Sequence, residues 1–486
     1  VASAFPEWEK SELNPAPVFR MRQWTMLIGP GLMMAGANIG GGEWLFGPLV
    51  TAQYGGTVMW LAFTAIVMQV FYNLAVMRYT LYCGESIFVG FFRTSPGPLF
   101  WTAFYFIADI GGLWPYLSSN AATPLAAVLL GRLPGAQDDT LVRTLSYCIF
   151  LSAFVPLIFG GKIYNALERL LVIKLALILG YLSFLAIFFV KWETFWEITS
   201  GLFKFGSLPA GDVNWATLAA FAAVAGAGGL TNTAFSNFAR DKGWAMGAKA
   251  GALPSAVGGL TVTLSHTGKV FELSPQNLER WRGWLAHIRR DQLVLWLPGC
   301  VLGMILPSMV SYQFIRGVTN VDGNAVAAMS AQGIAAQHGQ VFWYLTLLCG
   351  FLILAPTQVS QLDALARRWT DVVWIGSKRL SHLKGNQVKY VYYLFLMLYG
   401  FWGLIALRLT PNPLVLAVAS GVLVNFAFSF SALHTLYVVM RLMPAPLRPG
   451  WPIRIGLVAG SAFYLWISAV AMLQQWPVVK AWIGIA

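Results

Sequence analysis

Apolar residues along this chain gather into long stretches separated by short polar segments, and that alternation predicts eleven membrane-spanning helices. The stretches run at about 24–50, 56–80, 99–130, 143–163, 170–190, 214–236, 292–314, 340–362, 388–407, 412–440 and 453–475. A crossing helix needs about 20 apolar residues, so the longer stretches predict tilt or interruption. The stretch 251–266 carries three glycines, a proline and a histidine. It would make a poor lipid-facing helix and is assigned to a loop.

Two of the spans contain residues that a plain anchor has no use for. The first reads GPGLMMAGANIGGGEWLFGP from Gly29 to Pro48, and the sixth reads AAVAGAGGLTNTAFSN from Ala222 to Asn237. Each glycine costs about 1 kcal/mol relative to alanine in a helix interior. Such clusters at mid-span predict unwound segments, tolerable in hydrocarbon only where they face protein or a wet cavity. Two breaks five spans apart are the pattern of two inverted five-helix repeats with a binding site between their first helices. The expected fold is therefore all-α and polytopic, one membrane body over 1–486. It comprises a cytoplasmic tail (1–23), a first repeat (24–190), a second repeat (214–440) and an added helix (453–475). No cleaved signal peptide is expected at the start, because the first apolar run is a full span.

Charge sets the orientation. With the N-terminus in the cytoplasm, 25 of the 32 Lys and Arg residues fall on inner segments and 7 on outer ones, as the positive-inside rule requires. This predicts a multi-pass protein of a bacterial inner membrane with a periplasmic C-terminus. Composition agrees: 57% of residues are hydrophobic and 10% charged, and mean hydropathy is +0.64. The net charge of +13 is accounted for by an anionic inner leaflet and requires no nucleic acid. The four cysteines have no ligand spacing and are read as packing residues. The loop 237–291 contains LERWRGWLAHIRRD, which reads as an amphipathic helix lying on the inner leaflet with Trp281, Trp284 and Leu285 turned down.

The buried polar groups carry the candidate chemistry. Around the breaks, Asn38, Gly40, Glu43, Ala227, Thr231 and Asn232 are the expected substrate- or ion-binding set, with Asn38 and Glu43 the candidate metal ligands. A carboxylate within a membrane must be paired, hydrated, protonated or bound to a cation. Glu43 is therefore either an ion or proton site or a hydrogen-bonded tie for exposed amides. Asp109, with Asn120 beyond it, is a candidate relay, or else the partner of a buried Lys or Arg. Gln358 and Gln361, one turn apart, are expected to line a vestibule, and Asp363 with Arg367 reads as a surface ion pair. No metal-ligand cluster, nucleophile elbow or paired acid–base group points to an enzyme, and no cofactor is expected apart from a bound cation.

The opening GPGLMMAGANIGGGEW resembles the Nramp family of divalent-metal transporters, Gly29–Pro30–Gly31 being the best shared piece. The resemblance implies a LeuT-type 5+5 inverted-repeat fold over about residues 20–475. It also implies secondary active transport of a cation by alternating access, coupled to protons or Na⁺. Family members place Asp-Pro-Gly-Asn in the first break and Met-Pro-His in the sixth helix. Here those stretches are Ala37–Asn38–Ile39–Gly40–Gly41–Gly42 and Ala225–Gly226–Ala227–Gly228–Gly229–Leu230. Without the soft ligand, a hard cation such as Mg²⁺ is expected in place of Mn²⁺ or Fe²⁺. The alternatives are a small organic solute, or a transporter-derived accessory subunit of a larger complex. The expected partners are the lipid bilayer, a small ion or solute, and a partner subunit or second copy.

Overall fold

The computed structural model describes residues 7–18, 30–159, 163–209, 211–251, 267–317, 325–377, 387–409 and 412–483, with Leu380 and Leu383. Residues 252–266, read above as a loop with His266 at its end, lie outside this set.

Helices account for nearly all of the ordered elements. The first span consists of α1 (Pro30–Asn38), a bend at Ile39–Gly40, a π-helical turn (Gly42–Phe46) and α2 (Gly47–Tyr54). α3 (Met59–Cys83) is the second, and a short α4 (Ile87–Phe92) follows it. The third is split into α5 (Pro98–Ala108), a 3₁₀ turn (Asp109–Leu113) and α6 (Tyr116–Leu130). α7 (Asp139–Ser152) with α8 (Val155–Phe159) forms the fourth, and α9 (Ile163–Phe189) the fifth, with α10 (Trp192–Gly201) after it. The sixth is α11 (Trp215–Val224), an irregular stretch, a 3₁₀ turn (Gly229–Thr233) and α12 (Ala234–Asp241). After α13 (Gly247–Ala250), α14 (Pro275–Arg290) runs through a π turn (Asp291–Trp296) into α15 (Leu297–Ile315), the seventh span. α16 (Met329–His338) precedes α17 (Gln340–Gly376), α18 (Val388–Leu409), α19 (Pro413–Leu442) and α20 (Trp451–Ile483).

Each of the eleven expected spans contains helix. Among the described residues, however, nine stretches rather than eleven are long and apolar enough to cross a membrane. The shortfall comes from interruption. α5 has 11 residues and α6 has 15, each short of the roughly 20 that a crossing needs. Helix α2 is counted together with α3 as one stretch, Gly42–Cys83.

Packing partners repeat with a shift of five spans. α1 packs on α9 as α11 packs on α19; α2 packs on α15 as α12 packs on α3; α6 packs on α7 as α17 packs on α18. Helices five crossings apart run in opposite directions, so equivalent partners are met upside down. That is the inverted repeat expected from the two breaks. The third and eighth spans, equivalent to each other, meet along α6 and α17 at the centre.

The two breaks are built differently. In the sixth span Gly226, Gly228 and Gly229 take φ of +77, +66 and +54°, a region closed to most side chains. The first span only bends at Ile39–Gly40 and then widens into the π turn, which departs from the unwound segment expected there. Its glycines serve close approach: a Cβ on Gly42 would lie 2.1 Å from the Val224 carbonyl oxygen of the other broken helix.

Three surface readings change once the chain is folded. Trp281 and Trp284 are each 3% exposed because α14 turns its apolar face onto protein, not onto lipid headgroups. Trp281 meets Phe271, Trp284 meets Trp244, and the Trp284 indole donates to the Asn14 carbonyl at 2.8 Å. Asp363 and Arg367 are buried, not a surface pair. Lys174, one of the 25 basic residues counted above as inner, is buried within α9.

Residues 7–18 form a strap over this end of the bundle. Strand β1 (Glu9–Lys10) pairs in parallel with β2 (Lys269–Val270), and Leu13 is fully buried. The Trp8 indole donates to Glu85, which also accepts from Tyr79, Arg93 and the Gly268 amide. Hydrogen bonds from Lys269 and Arg280 hold the Glu9 and Glu12 carboxyls below the usual carboxylate range. Their contribution is present above the ordinary carboxylate pKa and is lost only as pH falls through the lowered values.

Three outcomes follow. Gly42→Ala lowers the thermal unfolding midpoint in detergent, because backbone rather than a flexible side chain occupies the space. Gly180→Ala, with nothing within 4 Å of the new Cβ, leaves the midpoint unchanged or raises it. Leu13→Asp releases the strap, so limited proteolysis at neutral pH cuts within residues 7–18 of the variant and spares the wild type.

Candidate functional site

The bend of the first span leaves one peptide group, Ile39–Gly40, without helical partners on either side. Charged side chains take both ends. The Lys174 Nζ donates to the Ile39 carbonyl at 2.5 Å and also to the Thr357 hydroxyl. The Gly40 amide donates to Glu43 Oε2 at 2.9 Å. Glu43 Oε1 accepts from the Gly226 amide at 3.2 Å. One fully buried carboxylate therefore ties the first break to the second.

The second break is held by neutral amides. Gln69 of α3 donates to the Ala225 carbonyl at 2.7 Å, and its Oε1 accepts from the Ala227 and Gly228 amides at 2.8 and 3.1 Å. Asn232 donates to Gln69 and to Asn73, and Asn73 donates to Gln292. Gln292 donates to Asp291, whose carboxylate accepts the Gly31 amide at 2.9 Å near the start of α1. Buried hydrogen bonds thus run from the second break back to the first helix. The Asn232 Oδ1 is buried without a partner.

Between the breaks lies a cavity of about 70 Å³. Its wall includes Gly41, Tyr116, Gly226, Thr231, Thr357 and Gln361. The surface is backbone, hydroxyl and amide, with room for a few water molecules. The Gln361 Nε2 donates to the Gly112 carbonyl, leaving its Oε1 unpaired.

Asp109 forms the other structure named for it, a buried pair. Arg368 reaches it at 2.6 to 3.0 Å, Trp369 donates to it at 2.9 Å, and Arg368 also donates to the Leu230 carbonyl. Beyond it, Arg240 pairs with Asp371, and Arg367 with Asp363 and Asp241. Together these join α12 and α17 through buried charges.

The expected site residues therefore divide. Gly40, Glu43, Ala227, Thr231 and Asn232 converge at the breaks, and Gln361 lines the chamber. Gln358 instead accepts from the Ser118 amide, and Asn120 donates to the Tyr116 and Pro413 carbonyls, both away from the chamber wall. The side chain of Asn38 lies outside the described residues. Gln69, Asn73, Lys174 and Asp291 were missed. A lone lysine within the apolar run of the fifth span was the available signal for Lys174. Gln69 and Asn73, one turn apart in the second span, were the signal for the clamp. Among the described residues no three His, Cys, Asp or Glu side chains come together as a metal site.

Gln69→Leu keeps the volume but leaves the Ala225 carbonyl and two amides unpaired. Each buried orphan costs roughly 1–3 kcal/mol. The variant is expected to unfold at a lower temperature in detergent and to exchange amide hydrogens faster over residues 225–232.

No family model matches the sequence, and no curated protein matches it by sequence. Solved structures do. A variant of the manganese transporter of Eremococcus coleocola is similar with a TM-score of 0.61 and 13% identity, over 98% of this chain and 92% of that one. The same transporter in complex with an aromatic bis-isothiourea substituted compound gives 0.58 and 12%, over 96% and 91%. At this identity the likeness concerns architecture alone: the chain has the fold of that transporter, as the opening of its first span led us to expect.

Proposed function

We propose that this chain is a secondary transporter working by alternating access, a divergent relative of the Nramp-type carriers, with its site in the chamber between the two breaks. The carrying observation is the Ile39–Gly40 peptide, bound by Lys174 at its carbonyl and by Glu43 at its amide. A change of charge on either side chain frees one end of the bend. Through the Gly226 amide it also loosens the second broken helix. The same charge redistribution is the proposed point of coupling to protons.

The proposed cargo is a small polar organic solute. A carbonyl that could serve a cation already faces an ammonium, both oxygens of Glu43 are engaged, and the chamber wall offers hydroxyls and amides. Divalent-cation transport is the second reading, favoured by the likeness to a manganese transporter; it requires Lys174 to leave the Ile39 carbonyl. We place the N-terminus in the cytoplasm of a bacterial cell, supported by the distribution of basic residues.

The test is uptake into proteoliposomes under an imposed pH gradient, with a panel of small polar solutes run beside Mn²⁺ and Mg²⁺. Glu43→Gln is expected to lower uptake at least tenfold, about 1.4 kcal/mol, while the protein remains folded. Lys174→Ala is expected to remove the dependence on the pH gradient. Wild-type flux of Mn²⁺ or Mg²⁺ with no solute uptake would establish the second reading. Absence of any flux would leave a transporter-derived accessory subunit.

A further inference from the structure

We infer that the groove between α19 and α20, at the end where the two helices are joined, is a binding site for one anionic glycerophospholipid. Its acyl chain would lie along the groove and its phosphate against Arg454. This site is separate from the chamber and does not rest on the transport reading.

The groove holds about 450 Å³. Met440 of α19 and Val458 of α20 form facing walls, and the short side chains of Ala459 and Ala462 leave the space between them open. Its lining is apolar apart from Arg454. From Trp451 to Ala462 it follows eleven helical steps, roughly 16 Å at 1.5 Å each. That is close to the ~15 Å depth of one leaflet, half of a ~30 Å hydrocarbon core. A groove of this length matches one acyl chain running from the interface to the midplane. A soluble partner has no access to such a depth.

The mouth is cationic, and no ion pair offsets it among the described residues. The Arg454 guanidinium lies 5.2 Å from the centre of the Trp451 ring, and its Nε donates to the Pro449 carbonyl at 2.8 Å. These contacts hold the group in place and use one of its five N–H donors. Trp451 is itself 70% exposed, the position of an indole at the headgroup level. Arg441 and Arg448 belong to the same end of the hairpin. From Val372 to Ala486 the sequence contains nine Lys and Arg and no Asp or Glu. Among the described residues, no ion pair satisfies Arg441, Arg448 or Arg454. An acyl groove that opens on arginine without an ion-pair partner has net charge complementarity with a phosphatidylglycerol-type headgroup, whereas in a zwitterionic headgroup the ammonium offsets the phosphate.

Native mass spectrometry of the full chain, released from detergent after incubation with dioleoyl-phosphatidylglycerol or dioleoyl-phosphatidylcholine, tests this. The wild type is expected to retain phosphatidylglycerol preferentially. Arg454→Gln is expected to reduce that retention about fivefold, the share of one basic residue near an anionic surface. Arg454→Lys restores part of it. Ala459→Trp, which fills the groove, reduces retention while Arg454 stays in place. Excess inorganic phosphate does not displace the lipid if the chain is bound in the groove; displacement would reduce the site to a headgroup contact and overturn the inference. Equal retention of the two lipids by the wild type would overturn it as well. So would wild-type retention by Arg454→Gln, a partly exposed change that leaves the bundle core untouched.

Discussion

A bent peptide bond within a membrane-spanning helix must find partners for its carbonyl and its amide, since hydrocarbon supplies none. In this protein the group between Ile39 and Gly40 receives an ammonium on one side and a carboxylate on the other. Charged hydrogen bonds are roughly twice as strong as neutral ones, so the bend is held firmly. The arrangement has a cost. Removing one member of a buried charged set leaves the other uncompensated, at about 3–5 kcal/mol. Lys174 and Glu43 therefore depend on each other through the peptide they share.

The second break meets the same requirement largely with neutral groups. Gln69 satisfies most of its backbone with an amide, and Asn232 and Asn73 brace that glutamine in turn; amides do not titrate. The two halves of the centre are thus unequal: one is held by titratable side chains and the other mainly by an amide that does not titrate, and the Glu43–Gly226 bond joins them. The third span is drawn in by Arg368, which holds Asp109 and the Leu230 carbonyl together. The interruptions of the first, third and sixth spans each receive a side chain from another helix: Lys174 on the Ile39 carbonyl, Gln361 on the Gly112 carbonyl and Gln69 on the Ala225 carbonyl. That is why the irregular backbone can exist at this depth.

Much of the architecture was legible along the chain. Helix lies in each of the eleven apolar stretches, although nine stretches among the described residues are long and apolar enough to cross, and the glycine clusters at 40–42 and 226–229 mark both interruptions. Glu43 stood out because a carboxylate so near three glycines has few ways to be satisfied. The details at 40–42 were less legible. Glycines there were read as an unwound segment, yet they serve close contacts with distant residues: Gly40 with Thr357, Gly41 with Tyr116, and Gly42 with Val224, 182 positions away. The same limit explains α14. Its amphipathic period shows that one face is covered, and only the folded chain shows that residues 13–16 and Trp244 cover it instead of lipid.

The sequence by itself therefore determined which segments enter the membrane, where they break, and that one acidic group lies at a break. These are properties of local composition, set by transfer of side chains to hydrocarbon and by backbone propensity. Only the tertiary structure decided what satisfies each break. Lys174 was counted with the inner basic residues, Asp363 and Arg367 read as a surface pair, and Gln69 was not singled out. Each took its role from a partner distant in the chain: Ile39 for the lysine, Asp241 and Tyr392 for the pair, and the Ala225–Gly228 backbone for the glutamine. Hydrogen bonds are short-ranged and directional, so their pairing depends on which helices meet, and no spacing along one helix carries that information.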